Sequence, residues 1–290
     1  MVMSHDAPSL SRFPLGSHDS WQFHFYSDVL KRFFSIRYWA SNSVRQAWAW
    51  TVDHQGAKQE CLAYSDAAEF VFDGQNTTYA KSSSFEFGFT ELSSTTHEGK
   101  LSLRSIDGVE ILHIDFNPGT TYFWHVPGQN DGVFHFPDIM ATITFEGQTV
   151  SAVGYCKRYW GDYDGPWGYQ FIQGSSEDKS KFFWTADATF GDDEYNYFKV
   201  HDGASKRLIA EANKLDTWHN NQRAFWRPAD SSGMEVELTP IGKMEFHLKS
   251  DSQYSKLVER FGPVQLRNRD DGSIIFNGFG FNEICFGTVG

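Results

Sequence analysis

Residues 154–169 read Gly-Tyr-Cys-Lys-Arg-Tyr-Trp-Gly-Asp-Tyr-Asp-Gly-Pro-Trp-Gly-Tyr, so two Trp-Gly pairs, further aromatic rings, two cations and two carboxylates stand close together. A strand that serves only a core alternates apolar and polar residues and stops at a turn. Here aromatic surface and charge gather around a Gly/Pro-bearing break. That is the make-up of a cavity wall that grips an apolar ligand and touches it with a few polar groups. If residues 150–160 form one strand, Gly154, Cys156, Arg158 and Trp160 share one face, and Tyr155, Lys157 and Tyr159 share the other. Arg158 is the leading candidate to orient or polarise a substrate oxygen, with Lys157 or a Tyr hydroxyl assisting. The structural alternative is an Arg held in a surface salt bridge.

Other residues could join that chemistry. Asp162 and Asp164 follow in a loop, as a base or a partner for Arg158, or simply as turn formers before Gly165-Pro166. Trp167, Tyr169, Phe171 and Gln173 alternate on one face, as do Phe182 and Trp184; either set is cavity wall or plain core. Trp124-His125 and Trp218-His219 are two Trp-His pairs, and the second runs through a polar stretch to Trp226. His219 could act as acid or base near neutral pH. Glu283 near the C-terminus could hold Arg158, supply the acid of a dehydration step, or form a salt bridge at a barrel rim. The substrate-binding candidates are thus Trp124, Cys156, Trp160, Trp167, Tyr169, Phe171, Trp184, Trp218 and Trp226. The 11 His include no HExxH or HxH spacing, so a metal site has no support. Asp-Tyr-Asp-Gly lacks the remaining ligand positions of a calcium loop. No phosphate loop or GxSxG elbow is present, and no cofactor is expected.

These residues need strands to position them, and the chain reads as all β. Candidate strands cover 47–52, 69–72, 84–89, 100–104, 109–116, 121–126, 139–145, 148–155, 168–173, 181–190, 195–201, 234–240, 243–249 and 273–280. Turn signals separate them: Asp73-Gly74, Glu98-Gly99, Asp107-Gly108, Glu146-Gly147, Asp202-Gly203 and Asp271-Gly272. Helices are expected only over 255–260 and around 27–34. Regular short strands with such punctuation suggest barrels or sandwiches. The loop at 127–132 suggests a boundary, giving β domains over 1–130 and 131–290. Each half then has enough strands for a small barrel able to hold one ligand.

The composition removes several functions. The formal charge of −12 disfavours nucleic acid and anionic membrane surfaces. No apolar run approaches the roughly 20 residues of a membrane span. Residues 1–16 carry no apolar signal segment. Cys61, Cys156 and Cys285 are odd in number and far apart, which suits a reducing cytoplasm. The expected partner is an apolar small molecule, and the sequence leaves a homodimer open.

The segment Gly154-Tyr155-x-x-x-x-Trp160-Gly161 resembles the signature of the lipocalin-like AttH and carotenoid 1,2-hydratase families, approximately Gly-Tyr-His-Asp-His-Asn-Trp-Gly. The spacing matches without a gap. Phe183-Trp184 followed by Phe190-Gly191, and Gly280-x-Asn282-Glu283 with Gly287, look like the rest of that domain. The resemblance implies two consecutive lipocalin-like (calycin) barrels forming an apolar cavity, among relatives that include terpenoid hydratases and fungal Diels–Alderase-type cyclases. It also implies that Cys156, Arg158 and Trp160, on the face of the family's two His positions, point into that cavity. This chain departs from the pattern by placing Cys156, Lys157 and Arg158 where the hydratases have His, Asp and His. Lys and Arg are poor proton donors at neutral pH, whereas alkene protonation needs a positioned acid. The expectation is therefore a cofactor-free cyclase of secondary metabolism, performing a Diels–Alder or hetero-Diels–Alder type cycloaddition on a polyene or terpenoid-derived substrate. A preceding dehydration would recruit Asp162, His219 or Glu283. A hydratase or dehydratase with a relocated acid, and a non-catalytic carrier of apolar molecules, are the alternatives.

Overall fold

The computed structural model describes residues 18–41, 45–66, 69–72, 77–93, 96–119, 121–125, 132–161, 166–176, 178, 180–190, 192–205, 207–212, 215–219, 224–228, 233–249 and 253–289. Every regular element among them is a β-strand. The first sheet contains β1 (His18–Ser27), β2 (Arg32–Ser41), β3 (Arg45–Asp53), β4 (Gln59–Ser65), β5 (Glu69–Phe72) and β6 (Thr77–Lys81). It continues with β7 (Phe85–Ser93), β8 (Thr96–Arg104), β9 (Glu110–Asn117), β10 (Tyr122–His125), β11 (Gly132–Phe145) and β12 (Gln148–Gly161). The second sheet contains β13 (Pro166–Ser176), β14 (Lys181–Phe190), β15 (Asp193–Asp202), β16 (Leu208–Ala212) and β17 (Leu215–His219). Its remaining strands are β18 (Ala224–Pro228), β19 (Met234–Leu238), β20 (Gly242–Lys249), β21 (Gln253–Asn268) and β22 (Ile274–Val289). The all-β class is as expected.

The first sheet runs β4-β3-β2-β1-β12-β11-β9-β8-β7-β6-β5, with β10 on β11. Strands β1 and β7 are five spacings apart in that order, about 24 Å along the hydrogen-bonding direction. Yet the Trp21 and Phe23 rings of β1 lie 5.1 and 4.9 Å from Phe87 of β7. The sheet therefore curls until distant strands share one interior. Period-2 alternation fills that interior with Trp21, Phe23 and Phe25 of β1 and with Phe85, Phe87 and Phe89 of β7. A bulge between Phe136 and Ile139 shifts the inward parity of β11, so that both residues face the core.

The second sheet runs β16-β15-β14-β13-β22-β21-β19-β18-β17, with β20 on β21. Its own apolar core includes Ile172, Phe183, Phe198, Val236, Val264 and Leu266.

The chain divides into two compact units, residues 1–53 with 57–163 and residues 54–56 with 164–290. The division falls later than the expected 130/131 boundary, because β11 and β12 complete the first sheet by pairing with β9 and β1. Neither expected helix forms. Residues 255–260 lie inside β21, where Leu257, Val258 and Glu259 pair in register with Cys285, Ile284 and Glu283. Residues 28–31 make a tight turn and 32–34 open β2, with Lys31 in the left-handed region at φ 50° and its ammonium 2.5 Å from Asp28. Cross-strand pairing overrides helix propensity in both places.

The Glu146-Gly147 turn forms as read, with φ of 49° and 76°, the pair of positive values a type I′ hairpin needs. Glu98-Gly99 is not a turn but the middle of β8. Gly99 is required there because a Cβ would overlap the Phe116 ring. Asp73-Gly74 lies outside the described residues. Among the described residues, no helix is long and apolar enough to cross a membrane.

Candidate functional site

Strand β12 carries both faces of the candidate site. On its inward face, Cys156 and Trp160 belong to the first unit's core. The Trp160 indole stacks on Phe123 at 5.5 Å and packs against Phe134 at 5.2 Å. Gly132 opposes Trp160 and leaves room for that ring, since a Cβ there would overlap the indole. Arg158 shares this face and is fully buried. Its Nη2 donates to Asp19 Oδ2 at 2.5 Å, and its Nε lies 3.2 Å from both carboxylate oxygens. The guanidinium carbon sits 5.4 Å from the Trp21 ring centre. Asp19 is itself 1% exposed. The cation expected to polarise a substrate is therefore neutralised by a carboxylate inside an aromatic core. Arg158 is a packing and pairing residue in this structure.

The opposite face of the same strands carries the polar chemistry. Strand registers align a row of side chains across five neighbouring pairs: Trp48, Arg37, Gln22, Lys157, His135 and Tyr122. All six are buried. A second row beside it joins Trp50, Ser35, His24 and Tyr155. The Arg37 guanidinium lies 5.0 Å from the Trp39 ring and 5.7 Å from the Trp48 ring, a cation–π setting that holds its charge in apolar surroundings. His24 stacks parallel to Tyr155 with centroids 6.0 Å apart. His135 Nδ1 and the Tyr155 hydroxyl are hydrogen-bonded.

Burial, and after it the Lys157 charge, hold the His135 imidazole well below its ordinary pKa. His135 is thus neutral at pH 7 and fixes the Tyr155 hydroxyl without carrying charge. Burial and Asp138 push the Tyr122 phenol up, so it too stays protonated. Lys157 and the phenols of Tyr155 and Tyr122 thus stand together on this face.

The second unit has a separate cluster. Tyr169, Phe171 and Gln173 stand on the face of β13 opposite to Ile172 of the apolar core. Trp167 and Tyr169 are half-buried and stack at 6.0 Å, while Phe171 and Gln173 are buried. The Tyr169 hydroxyl donates to Glu283 Oε1. Glu283 faces Glu259 across β21–β22, and both are fully buried. Trp184 is buried, with its ring parallel to His201 at 4.6 Å and to Phe182 at 5.9 Å. Asn282 donates to the Phe171 carbonyl at 3.0 Å, pinning β22 to β13.

Asp162 and Asp164 lie outside the described residues. Trp124, Trp218, His219 and Trp226 fall on strands β10, β17 and β18, but their side chains are outside the described part. Among the described residues, no group of three metal-ligating side chains gathers.

Sequence reading overlooked Asp19, Gln22, His24, Arg37, His135 and Glu259. The signal for Gln22 and His24 was present. Trp21, Phe23 and Phe25 alternate with Gln22 and His24, a strand pattern with polar groups confined to one face.

No family model and no curated protein matches the chain. Among solved structures, kievitone hydratase from Nectria haematococca aligns with a TM-score of 0.59 and 12% identity, over 96% of this chain and 92% of that one. An AttH-like protein from Nitrosomonas europaea aligns with a TM-score of 0.56 and 14% identity, over 92% of each chain. The chain has the lipocalin-like AttH fold that its Gly154–Gly161 motif implied.

Proposed function

We propose that this chain is an enzyme of secondary metabolism, a cofactor-free cyclase that closes a ring on an apolar polyene or terpenoid-derived substrate by a Diels–Alder or hetero-Diels–Alder type cycloaddition. The observation that carries the reading is Lys157, buried in register between Gln22 and a neutral His135, with the Tyr155 hydroxyl tied to that same imidazole. An ammonium and a phenol hydrogen-bonded to a dienophile carbonyl withdraw electron density from its conjugated double bond, which lowers the barrier to attack by the diene. In buried surroundings each such contact counts for more than it would in water. The remaining acceleration comes from holding one folded conformer of a floppy polyene and excluding water. In this reading Lys157, which shares its face with Tyr155 and His135, takes the polarising role, and Arg158 holds Asp19. The same reading places the chain in the cytoplasm, consistent with Cys61, Cys156 and Cys285 being outside disulfides.

A hydratase or dehydratase is the second reading. It is favoured by the Tyr169–Glu283 hydrogen bond and by Glu259 opposite Glu283. A carboxyl placed in buried surroundings is the kind of acid that alkene protonation or loss of water requires.

The test is a panel of apolar polyenes and quinone-methide precursors, incubated with wild type, Lys157→Met and Glu283→Gln in the presence of a chelator. Every sample is analysed by mass and by chirality of the product. An isomeric, single-enantiomer product lost in Lys157→Met supports the cyclase. A product differing by one water and lost in Glu283→Gln moves the assignment to the hydratase. Saturable binding with no conversion of any ligand makes the chain a carrier.

A further inference from the structure

The second sheet has an interior that the proposed chemistry does not use. Phe198 of β15 and Val236 of β19 stand five places apart in its strand order, yet both belong to one apolar core. The sheet therefore curls round that core. On the core's face the side chains change character towards one end. Phe183, Val264 and Leu266 are buried and apolar. Gln170, Thr185 and Asn282 come next, buried but polar. Asp187, Asn196 and Ile284 are half-buried, and Thr189, Glu194 and Phe286 are exposed. A curled face that passes from dry to wet in this way is the wall of an open-ended cup.

The registers place the polar groups side by side. Gln170 faces Ile284 of β22 and Asp187 of β14, and Asp187 faces Asn196 of β15. Asn282 stands diagonally from Gln170, within side-chain reach, and faces the buried Arg260 of β21. The Asn282 amide is fixed, because its Nδ2 donates to the Phe171 carbonyl at 3.0 Å, so its Oδ1 can only accept. Asn282 Oδ1, Gln170 Oε1 and Asn196 Oδ1 are buried and have no hydrogen-bond partner among the described residues. Buried polar atoms are nearly always paired. Three unpaired amide oxygens on one patch therefore call for donors from outside the chain.

The rim adds shape and charge. Phe286 is 46% exposed and faces Gly168. A Cβ on Gly168 would make only ordinary contacts, 3.6 Å from Phe286 Cβ and 3.8 Å from the Cys285 carbonyl oxygen. Packing does not require this glycine, and it leaves the flank of the ring open. On the same face Asp187, Glu194 and Glu245 are matched by Arg260, Lys243 and Lys256, and Glu245 pairs with both lysines. An anion would meet amide oxygens and carboxylates, and a cation would meet Arg260. A neutral ligand fits, with an apolar flank and several hydroxyls, each able to donate and to accept.

We propose that the open end of the second unit's sheet binds a polyhydroxylated ring of the carbohydrate class, with its C–H face on Phe286 beside Gly168 and its hydroxyls on Gln170, Asn196 and Asn282.

The test titrates the full chain, by ligand-observed NMR, with the methyl glycosides of glucose, galactose, mannose and xylose. Cyclohexanol serves as a ring with a single hydroxyl. At least one glycoside should saturate with a Kd of about 1 mM, the range open to so small a ligand. Cyclohexanol should bind at least roughly tenfold more weakly, because it leaves the amides unpaired. Phe286→Ala and Gly168→Val should each weaken the glycoside by roughly fivefold or more, with the melting temperature unchanged. Gln170→Leu should weaken the glycoside and leave cyclohexanol as it was. Absence of saturable glycoside binding overturns the proposal. So does binding that none of the three variants alters, and so does cyclohexanol binding as tight as that of the glycoside. A nitrophenyl glycoside separates two sources of the same chemistry. Affinity equal to that of the methyl glycoside supports a free sugar as ligand, and affinity at least roughly tenfold higher supports a sugar carried on an apolar molecule.

Discussion

Arg158 and Lys157 are adjacent cations with opposite fates, and each makes a separate prediction. Arg158→Met strands the Asp19 carboxylate in an aromatic core. It should destabilise the protein by roughly 3–5 kcal/mol, the usual result of breaking a buried pair from one side. Adding Asp19→Leu should recover most of that loss in a urea titration. His97 gives a pH dependence. It is 3% exposed, its ring packs against Phe89 and Phe136, and its Nδ1 has no hydrogen-bond partner. Burial lowers its pKa to about 4 from an ordinary 6.5. Between those values the unfolded chain binds the proton and the folded chain does not. Stability is therefore complete above pH 6.5 and falls as the pH drops towards 4, by about 1.4 kcal/mol per unit for one such His. His135 acts in the same direction. The melting temperature should fall from pH 7 to pH 5, and His97→Leu should flatten that slope. The sequence marked β12 as the strand where aromatic rings and cations gather, but it did not show that Arg158 is paired with Asp19. Whether an Arg is paired depends on a carboxylate 139 residues away, and no spacing rule reaches that far.

Strands and turns were more legible than the site. The type I′ turn at Glu146-Gly147 and the turns at Gly108 and Gly272 follow from residues that tolerate positive φ. The expected helix at 255–260 failed because Ser-Lys-Leu-Val-Glu-Arg has helical propensity locally but a partner strand on each side in the sheet. Strands β1 and β2 were missed although their alternation was visible. Gln22, His24, Ser35 and Arg37 are ordinarily read as solvent-facing, and here they are buried. Two strand glycines separate steric need from chance. A Cβ on Gly154 would lie 2.5 Å from the His24 carbonyl oxygen, a backbone atom that cannot step aside, whereas a Cβ on Gly88 meets nothing within 4 Å. Gly154→Ala should cost roughly 1–3 kcal/mol as an overpacked position. Gly88→Ala should be neutral or slightly stabilising. Chemical denaturation of both variants checks the contrast.

At the scale of the whole molecule, the two-unit plan follows from composition and length, but its division does not. Fourteen-residue strands such as β11 and β12 look like the opening of a second domain when read along the chain. They belong to the first sheet because β1 is waiting for a partner. Each unit has its own apolar core, around Phe87 in the first and Phe183 in the second. Replacing either Phe by Ala should destabilise by roughly 3–5 kcal/mol, measured as a shift in the urea midpoint.

In the proposed function, Lys157 and Tyr155 serve a ring closure that needs neither cofactor nor water. The most direct measurement is turnover of a converted polyene in water enriched in heavy oxygen, with wild type and Lys157→Met side by side. The expected outcome is an isomeric product without heavy oxygen and a rate lowered by roughly 100-fold or more in the variant, the scale of losing one preorganised donor. Heavy oxygen in the product, or full activity in Lys157→Met, would overturn the cyclase proposal.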